Sequence, residues 1–214
     1  MHSEQFKQHP KRIEFGKMTK DRKMLRVMIA DDEAVIRMGL KALVLSLGHE
    51  VIGTAANGED ALEKTKRLKP DLLLLDIKMP GLDGLTVAET LAGEMPLPVI
   101  MLTAYTEKSL IERAASIAVM GYLVKPIHES KLGPMIEIAM ARFEAMRMAA
   151  QEAYKLRNQL EAREIIDAAK QILVATGLTE SEAYQRLQMT AREKRRPMRQ
   201  VAEAVIAVGH KFIS

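Results

Sequence analysis

The chain of 214 residues has no cysteine, no tryptophan, and only four phenylalanines and four tyrosines. Without cysteine there can be no disulfide framework and no thiolate chemistry, which fits a reducing compartment. So few aromatics argue against an RNA-binding sheet that stacks successive bases on aromatic side chains. Long apolar runs are also missing, and none approaches the roughly 20 residues of a membrane helix. Residues 1–23 are polar and basic and lack the apolar core of a secretion signal. A soluble, cytoplasmic protein without membrane association is therefore expected. Residues 1–23 show no periodicity and are expected to form a disordered basic extension, with Met24 as an alternative start.

The net charge of +4 is unevenly placed. Residues 1–23 carry seven Lys/Arg against three Asp/Glu, residues 24–140 twelve against sixteen, and residues 141–214 thirteen against nine. An acidic body with basic extensions points to a polyanionic partner for an extension. The five histidines (His2, His9, His49, His128, His210) show no metal-ligand spacing, and the fifteen methionines read as core and helix-seam filler.

From Leu25 the pattern alternates. Apolar runs at Leu25–Ala30, Val51–Ala55, Leu72–Asp76, Pro98–Leu102 and Gly121–Val124 read as strands. Helical stretches are expected over Ala34–Leu47, with Val35, Met38, Ala42 and Leu45 as its apolar positions, and then from Asn57-Gly58 to Lys69, Gly84–Ala92 and Thr106–Ala118. Five strands alternating with helices predict an α/β, doubly wound, five-stranded parallel sheet.

Residues at the ends of these strands converge. Asp31 and Asp32 follow the first strand, Asp76 ends the third, Thr103 follows the fourth and Lys125 the fifth. In a parallel sheet these ends share one edge, where open α/β sheets place their chemistry. Buried carboxylates are costly without a compensating charge. Three of them together call for a hard cation with oxygen ligands, which suits Mg²⁺. A free Asp oxygen could then attack phosphorus, with Lys125 neutralising the transferring group.

Beyond Pro126 no strand pattern returns. Residues 130–175 are rich in Ala, Met, Glu, Arg and Leu, and a continuous helix of that length would span roughly 70 Å. Ile136, Met140, Phe143, Met146, Ala150, Ala153, Leu156 and Leu160 form a weak seam along it, suited to a short or conditional coiled coil. Gly177 ends the helix, and Thr179-Glu-Ser-Glu182 reads as a capping box for the next. The basic cluster from Arg192 to Arg196 precedes Pro197, and a third helix runs to Gly209. Three short helices cannot build a large core alone.

Asp31-Asp32, Asp76-x-x-Met79-Pro80-x-x-Asp83-Gly84, Thr103-Ala104 and Tyr122-x-x-Lys125-Pro126 together resemble a response-regulator receiver domain of flavodoxin-like fold, over residues 24–140. The resemblance implies that Asp76 accepts phosphate from a sensor histidine kinase. It also implies that Asp31, Asp32, Asp76 and the backbone carbonyl of Lys78 hold Mg²⁺, and that Thr103 bonds the phosphoryl oxygen. Tyr122 would be the switch aromatic, and the bond before Pro126 would be cis. One departure is Ala118, where the family usually has Gly.

The C-terminal segment is similar to the ANTAR module of transcription antitermination regulators. The matching residues are Ala169-Lys170, the Gly177-Leu-Thr-Glu180 turn, Ala183-Tyr184, Leu187, Ala191 and Val201-Ala202-Glu203. Gln171 stands at a usual Gly position and Arg192 at one often held by Met. This likeness implies an RNA-binding domain over residues 163–214, joined to the receiver by a connecting helix or coiled coil over 141–162. The implied partners are hairpins of leader mRNA, gripped by a homodimer that forms on phosphorylation. Lys170, Arg192, Lys194, Arg195, Arg196 and Arg199 are expected to meet phosphates, and Gln188 or Thr190 a base edge. Two alternatives stay open: a DNA-binding response regulator with a helix-turn-helix, and a regulator whose helical tail docks on another protein. No nucleophile–base set appears outside the crevice, so an independent enzyme is not expected.

Overall fold

The computed structural model describes residues 23–104 and 119–209. The helix expected over Thr106–Ala118, the Ala118 departure and the extension up to residue 22 lie outside the described residues. The chain divides into two compact units, meeting at Phe143 and Glu144.

In the first unit five strands pair in parallel: β1 (Arg26–Ala30), β2 (Glu50–Ala55), β3 (Leu72–Asp76), β4 (Val99–Thr103) and β5 (Gly121–Val124). Their order is β2-β1-β3-β4-β5, so the direction of winding reverses between β1 and β3. That reversal opens a crevice at the carboxyl ends of these two strands. Every residue of β3 and β4 is buried. Strands covered on both faces require such unbroken apolar runs, and Leu72-Leu-Leu-Leu75 supplies one.

Side chains alternate between two cores. Met28, Leu73, Leu75 and Met101 face one side, with α2 (Gly58–Leu68) and α3 (Gly84–Glu94). Val27, Ile29, Leu72, Leu74 and Ile100 face the other, with α1 (Ala34–Ser46) and the start of α4 (Glu129–Val174). Each fully buried Leu contributes roughly 1.5–3 kcal/mol of transfer free energy, so β3 anchors both faces.

Local signals fix the helix ends. Asn57 caps α2 by accepting from the Asp60 amide at 2.8 Å, and Asp83 caps α3 by accepting from Thr86 at 2.7 Å. Acidic Glu59 and Asp60 open α2, and Lys66 and Arg67 close it, matching its macrodipole. Gly84 is required by close approach: a Cβ there would run into the Asp76 carbonyl oxygen.

Two packing expectations need correction. On α1 the stripe Val35, Met38, Ala42 and Leu45 faces solvent, with Val35 80% and Met38 73% exposed. The buried face is instead Leu40 and Val44, flanked by Ile36, Leu43 and Leu47. Both stripes have helical spacing, so spacing alone could not choose between them. The seam on α4 is also divided. Ile136, Met140 and Phe143 pack into the first unit's core, whereas Met146, Ala150, Ala153, Leu156 and Leu160 are exposed.

The second unit comprises the remainder of α4, α5 (Glu180–Glu193) and α6 (Met198–Val208). Its small core is Ala169, Leu173, Ala183, Leu187, Val201, Ala202 and Val205. Gly177 turns with φ of 101°, a region that favours glycine. The capping box is present: Glu182 N donates to Thr179 Oγ1 at 3.3 Å, and Thr179 N donates to Glu182 Oε2 at 2.8 Å. Among the described residues no helix is long and apolar enough to cross a membrane.

Candidate functional site

The end of β1 delivers Asp31 and Asp32 to the crevice. Arg37, on the first turns of α1, fixes their backbone by donating from Nη1 to the Asp31 carbonyl at 2.6 Å and the Asp32 carbonyl at 2.9 Å. The Asp31 amide donates across to Ala55 at 3.1 Å. Asp31 is fully buried, Asp32 is exposed, and Asp76 at the end of β3 is 4% exposed. One carboxylate oxygen from each of the three lies within 4.8 Å of the others.

Lys125, just after β5, reaches into this group. Its Nζ is 2.7 Å from Asp31 Oδ2 and 3.2 Å from Asp76 Oδ2, with Glu33 Oε1 at 3.9 Å. The Lys125–Pro126 bond is cis. A cavity of about 230 Å³ opens here, lined by Asp32, Glu33, Asp76, Lys78, Thr103 and Lys125 among others. Asp31, Asp32, Asp76, Lys78, Thr103 and Lys125, all named from sequence, are thus brought to one place. Glu33 and Arg37 were missed there. Glu33 had adjacency to the Asp pair as its only sequence signal, and Arg37, about one helical turn beyond Glu33, had none.

Burial raises the Asp76 carboxyl above the usual range, opposed by Lys125 and assisted by Asp31 and Asp32. For Lys125 burial alone would lower the ammonium's pKa, but its contacts with Asp31 and Asp76 outweigh that and raise it. One ammonium for three carboxylates leaves negative charge uncompensated. Beyond its ion pair with Lys125, the buried Asp31 Oδ2 accepts no hydrogen bond. An all-oxygen donor set of three clustered carboxylates, with more negative charge than one ammonium offsets, fits a hard divalent cation.

Tyr122 lies opposite Met101 in the β4–β5 register and is half-buried against the α2–α3 side of the sheet. It is not among the cavity-lining residues, and burial raises its phenol pKa.

In the second unit the expected polar contacts separate into classes. Arg192, Arg195 and Arg196 are exposed, and no ion pair among the described residues holds them. Lys194 is also exposed, and Gln188 is half-buried. Lys170 is tied to Asp167 at 3.1 Å and Glu180 at 3.6 Å. Arg199 is tied to Glu203 at 2.9 Å and Glu161 at 3.8 Å. Thr190 requires correction: it is buried, and its hydroxyl donates to the Arg186 carbonyl at 2.9 Å. Such back-bonding within a helix removes it from any base edge.

A switch-point sheet with a carboxylate crevice, followed by a small helical module, defines a signalling receiver joined to an output domain. The family model for the response regulator receiver domain matches residues 27–137, and that for the ANTAR domain matches 154–206. The chain belongs to the response regulators of two-component signalling, with a receiver domain and a C-terminal ANTAR domain.

Among its relatives, the transcriptional regulatory protein PdtaR of Mycobacterium tuberculosis strain H37Rv is 40% identical over 182 residues, 85% of this chain and 89% of that one. The chemotaxis protein CheY of Thermotoga maritima is 35% identical over 108 residues, 50% of this chain and 90% of that one. Among solved structures, the signal receiver domain of a modulated diguanylate cyclase from Desulfovibrio desulfuricans is 33% identical with a TM-score of 0.55. The match covers 58% of this chain and 99% of that domain.

Proposed function

We propose that this protein is a cytoplasmic, phosphorylation-controlled transcription antiterminator that binds hairpins of leader mRNA. The observation that carries the input half is the convergence at the switch point of Asp31, Asp32 and Asp76, with carboxylate oxygens within 4.8 Å of one another, and of Lys125, in contact with Asp31 and Asp76. Asp76 accepts the phosphoryl group from a sensor histidine kinase. A carboxylate oxygen attacks phosphorus, the donor's N–P bond breaks with the electron pair returning to imidazole, and an acyl phosphate remains. Asp31, Asp32, Asp76 and the Lys78 carbonyl would hold Mg²⁺, which when bound would offset negative charge on the transferring group. The Lys125 ammonium turns from Asp76 to the phosphoryl oxygens, and the Thr103 hydroxyl bonds them from the end of β4. Tyr122, beside that end, follows Thr103 inward and repacks the α2–α3 side of the sheet.

The output half rests on the exposed Arg192, Lys194, Arg195 and Arg196. These cations meet phosphates, and Gln188 reaches toward a base edge. Lys170 and Arg199 contribute only if they exchange their carboxylate partners for RNA. The exposed Met146, Ala153, Leu156 and Leu160 on α4 supply a seam for a homodimer, so that two modules grip two hairpins.

The test compares hairpin leader RNA with duplex promoter DNA at matched salt, since the phosphate term alone shifts strongly with ionic strength. Phosphorylated protein is expected to prefer RNA, and Asp76→Asn to fall to the unphosphorylated affinity. A preference for duplex DNA would make the protein a DNA-binding regulator. Activity that persists in Arg195→Ala/Arg196→Ala would point to a protein partner.

A further inference from the structure

The exposed face of α5 carries a residue that the basic cluster does not account for. Ala183, Leu187 and Thr190 are buried and define the inner face of this helix. Tyr184 is one position past that face and is 45% exposed. Gln188 and Arg192 follow it at i+4 and i+8, so the three side chains form one stripe along the helix. At 1.5 Å per residue the stripe is about 12 Å long and ends beside Arg195 and Arg196. An aromatic plate, an amide and a guanidinium thus stand in line, leading into exposed cations.

Packing does not explain Tyr184. The module's core is filled by Ala183, Leu187 and residues of α4 and α6, and the tyrosine is not among the side chains packed on it. Among the described residues its hydroxyl makes no hydrogen bond. A tyrosine left half in water beside uncompensated arginines matches the way single-stranded nucleic acid is held. There, bases stack on aromatic faces while cations track the backbone.

We infer that Tyr184 is the stacking platform for one unpaired base of the hairpin loop, with Gln188 bonding that base or its neighbour and Arg192 holding the adjoining phosphate. This rests on the RNA reading above and adds to it: the ligand must present an unstacked loop base, so fully paired RNA is a poor ligand. The stacking partner is one base per module, which reconciles RNA binding with a chain so poor in aromatics.

The experiment uses full-length phosphorylated protein and leader hairpins carrying 2-aminopurine at each loop position in turn. Wild type, Tyr184→Phe, Tyr184→Leu and Tyr184→Ala are compared by affinity and by quenching of the probe. Circular dichroism and sedimentation report fold and mass. Phe is expected to stay within about twofold of wild type and to keep the quench at one loop position. Leu and Ala are expected to bind about 5- to 150-fold more weakly and to lose that quench, as for removal of one stacked base. Leu binding as well as wild type would overturn the inference, as would Phe as weak as Ala or a loss that follows the dimer rather than the probe. Wild type failing to bind any hairpin is a different result, since it removes the RNA reading itself.

Discussion

Asp76 is held in a conflict that its neighbours resolve only in part. Burial favours its protonated form, and Asp31 and Asp32 add repulsion, while Lys125 favours the ionised form without cancelling the rest. A carboxyl whose folded pKa is raised contributes stability that is complete below its unfolded value and is lost as pH rises through the folded value. Once ionised, Asp76 leaves the metal-free protein with a charge that Lys125 does not fully compensate. Asp76→Asn removes that charge, while Lys125 keeps Asp31 as its partner at 2.7 Å. Urea unfolding in a chelator is expected to show Asp76→Asn more stable than wild type at about pH 8. The gain should shrink as pH falls and wild-type Asp76 takes up its proton. A variant less stable than wild type at the higher pH would mean that the Lys125 pairing outweighs burial. The acidic crevice was legible because Asp after an apolar strand is a costly and local signal. Tyr184 and Thr190 were not legible: they sit six residues apart on one helix, and only the phase of that helix against its core makes one exposed and the other buried.

At the scale of the element, β3 and α1 show how far pattern carries. Four consecutive leucines ending in aspartate allow a doubly covered strand and little else, and β3 was read to its last residue. The five-stranded parallel sheet follows from the same logic, because strands joined through helices pair in parallel, whereas their order β2-β1-β3-β4-β5 is read from the structure alone. Helix α1 carries two apolar stripes, and sequence offers no reason to prefer Leu40 and Val44 over Val35 and Met38. The sheet makes the choice, burying the stripe that meets Val27 and Ile29. What remains is an apolar face beginning three residues after Asp32, beside the crevice that, under the proposed function, a kinase must reach. Exposed apolar residues grouped in this way mark contact surfaces more often than idle ones. Met38→Glu is expected to slow phosphoryl transfer from the cognate kinase by roughly tenfold, the scale of losing one central apolar contact of 1–2 kcal/mol. Labelling by a small donor such as acetyl phosphate should be unchanged. Equal slowing with both donors would show that the substitution disturbs the crevice rather than the docking.

At the scale of the whole molecule, a carboxylate crevice and an exposed basic cluster share one chain and one continuous helix, α4, whose first turns belong to the first unit's core and whose last turns belong to the second's. Under the proposed function the two sites influence each other through dimerisation, and that influence is a free energy with a fixed symmetry. If occupancy of the crevice tightens RNA binding by some factor, RNA must tighten binding at the crevice by the same factor. Beryllofluoride with Mg²⁺ occupies such a site reversibly, which makes the symmetry measurable where covalent phosphate does not. The expected factor is about 5- to 150-fold, the ordinary range for coupled sites. It should be read twice: as RNA affinity with and without beryllofluoride, and as beryllofluoride affinity with and without RNA. Both readings should collapse to no coupling in Leu156→Glu/Leu160→Glu, which places charge on the exposed seam but leaves crevice and RNA face intact. Coupling that survives those substitutions would assign the communication to a route other than the seam. Equal RNA affinity in both states would leave the crevice a regulator of something other than RNA binding.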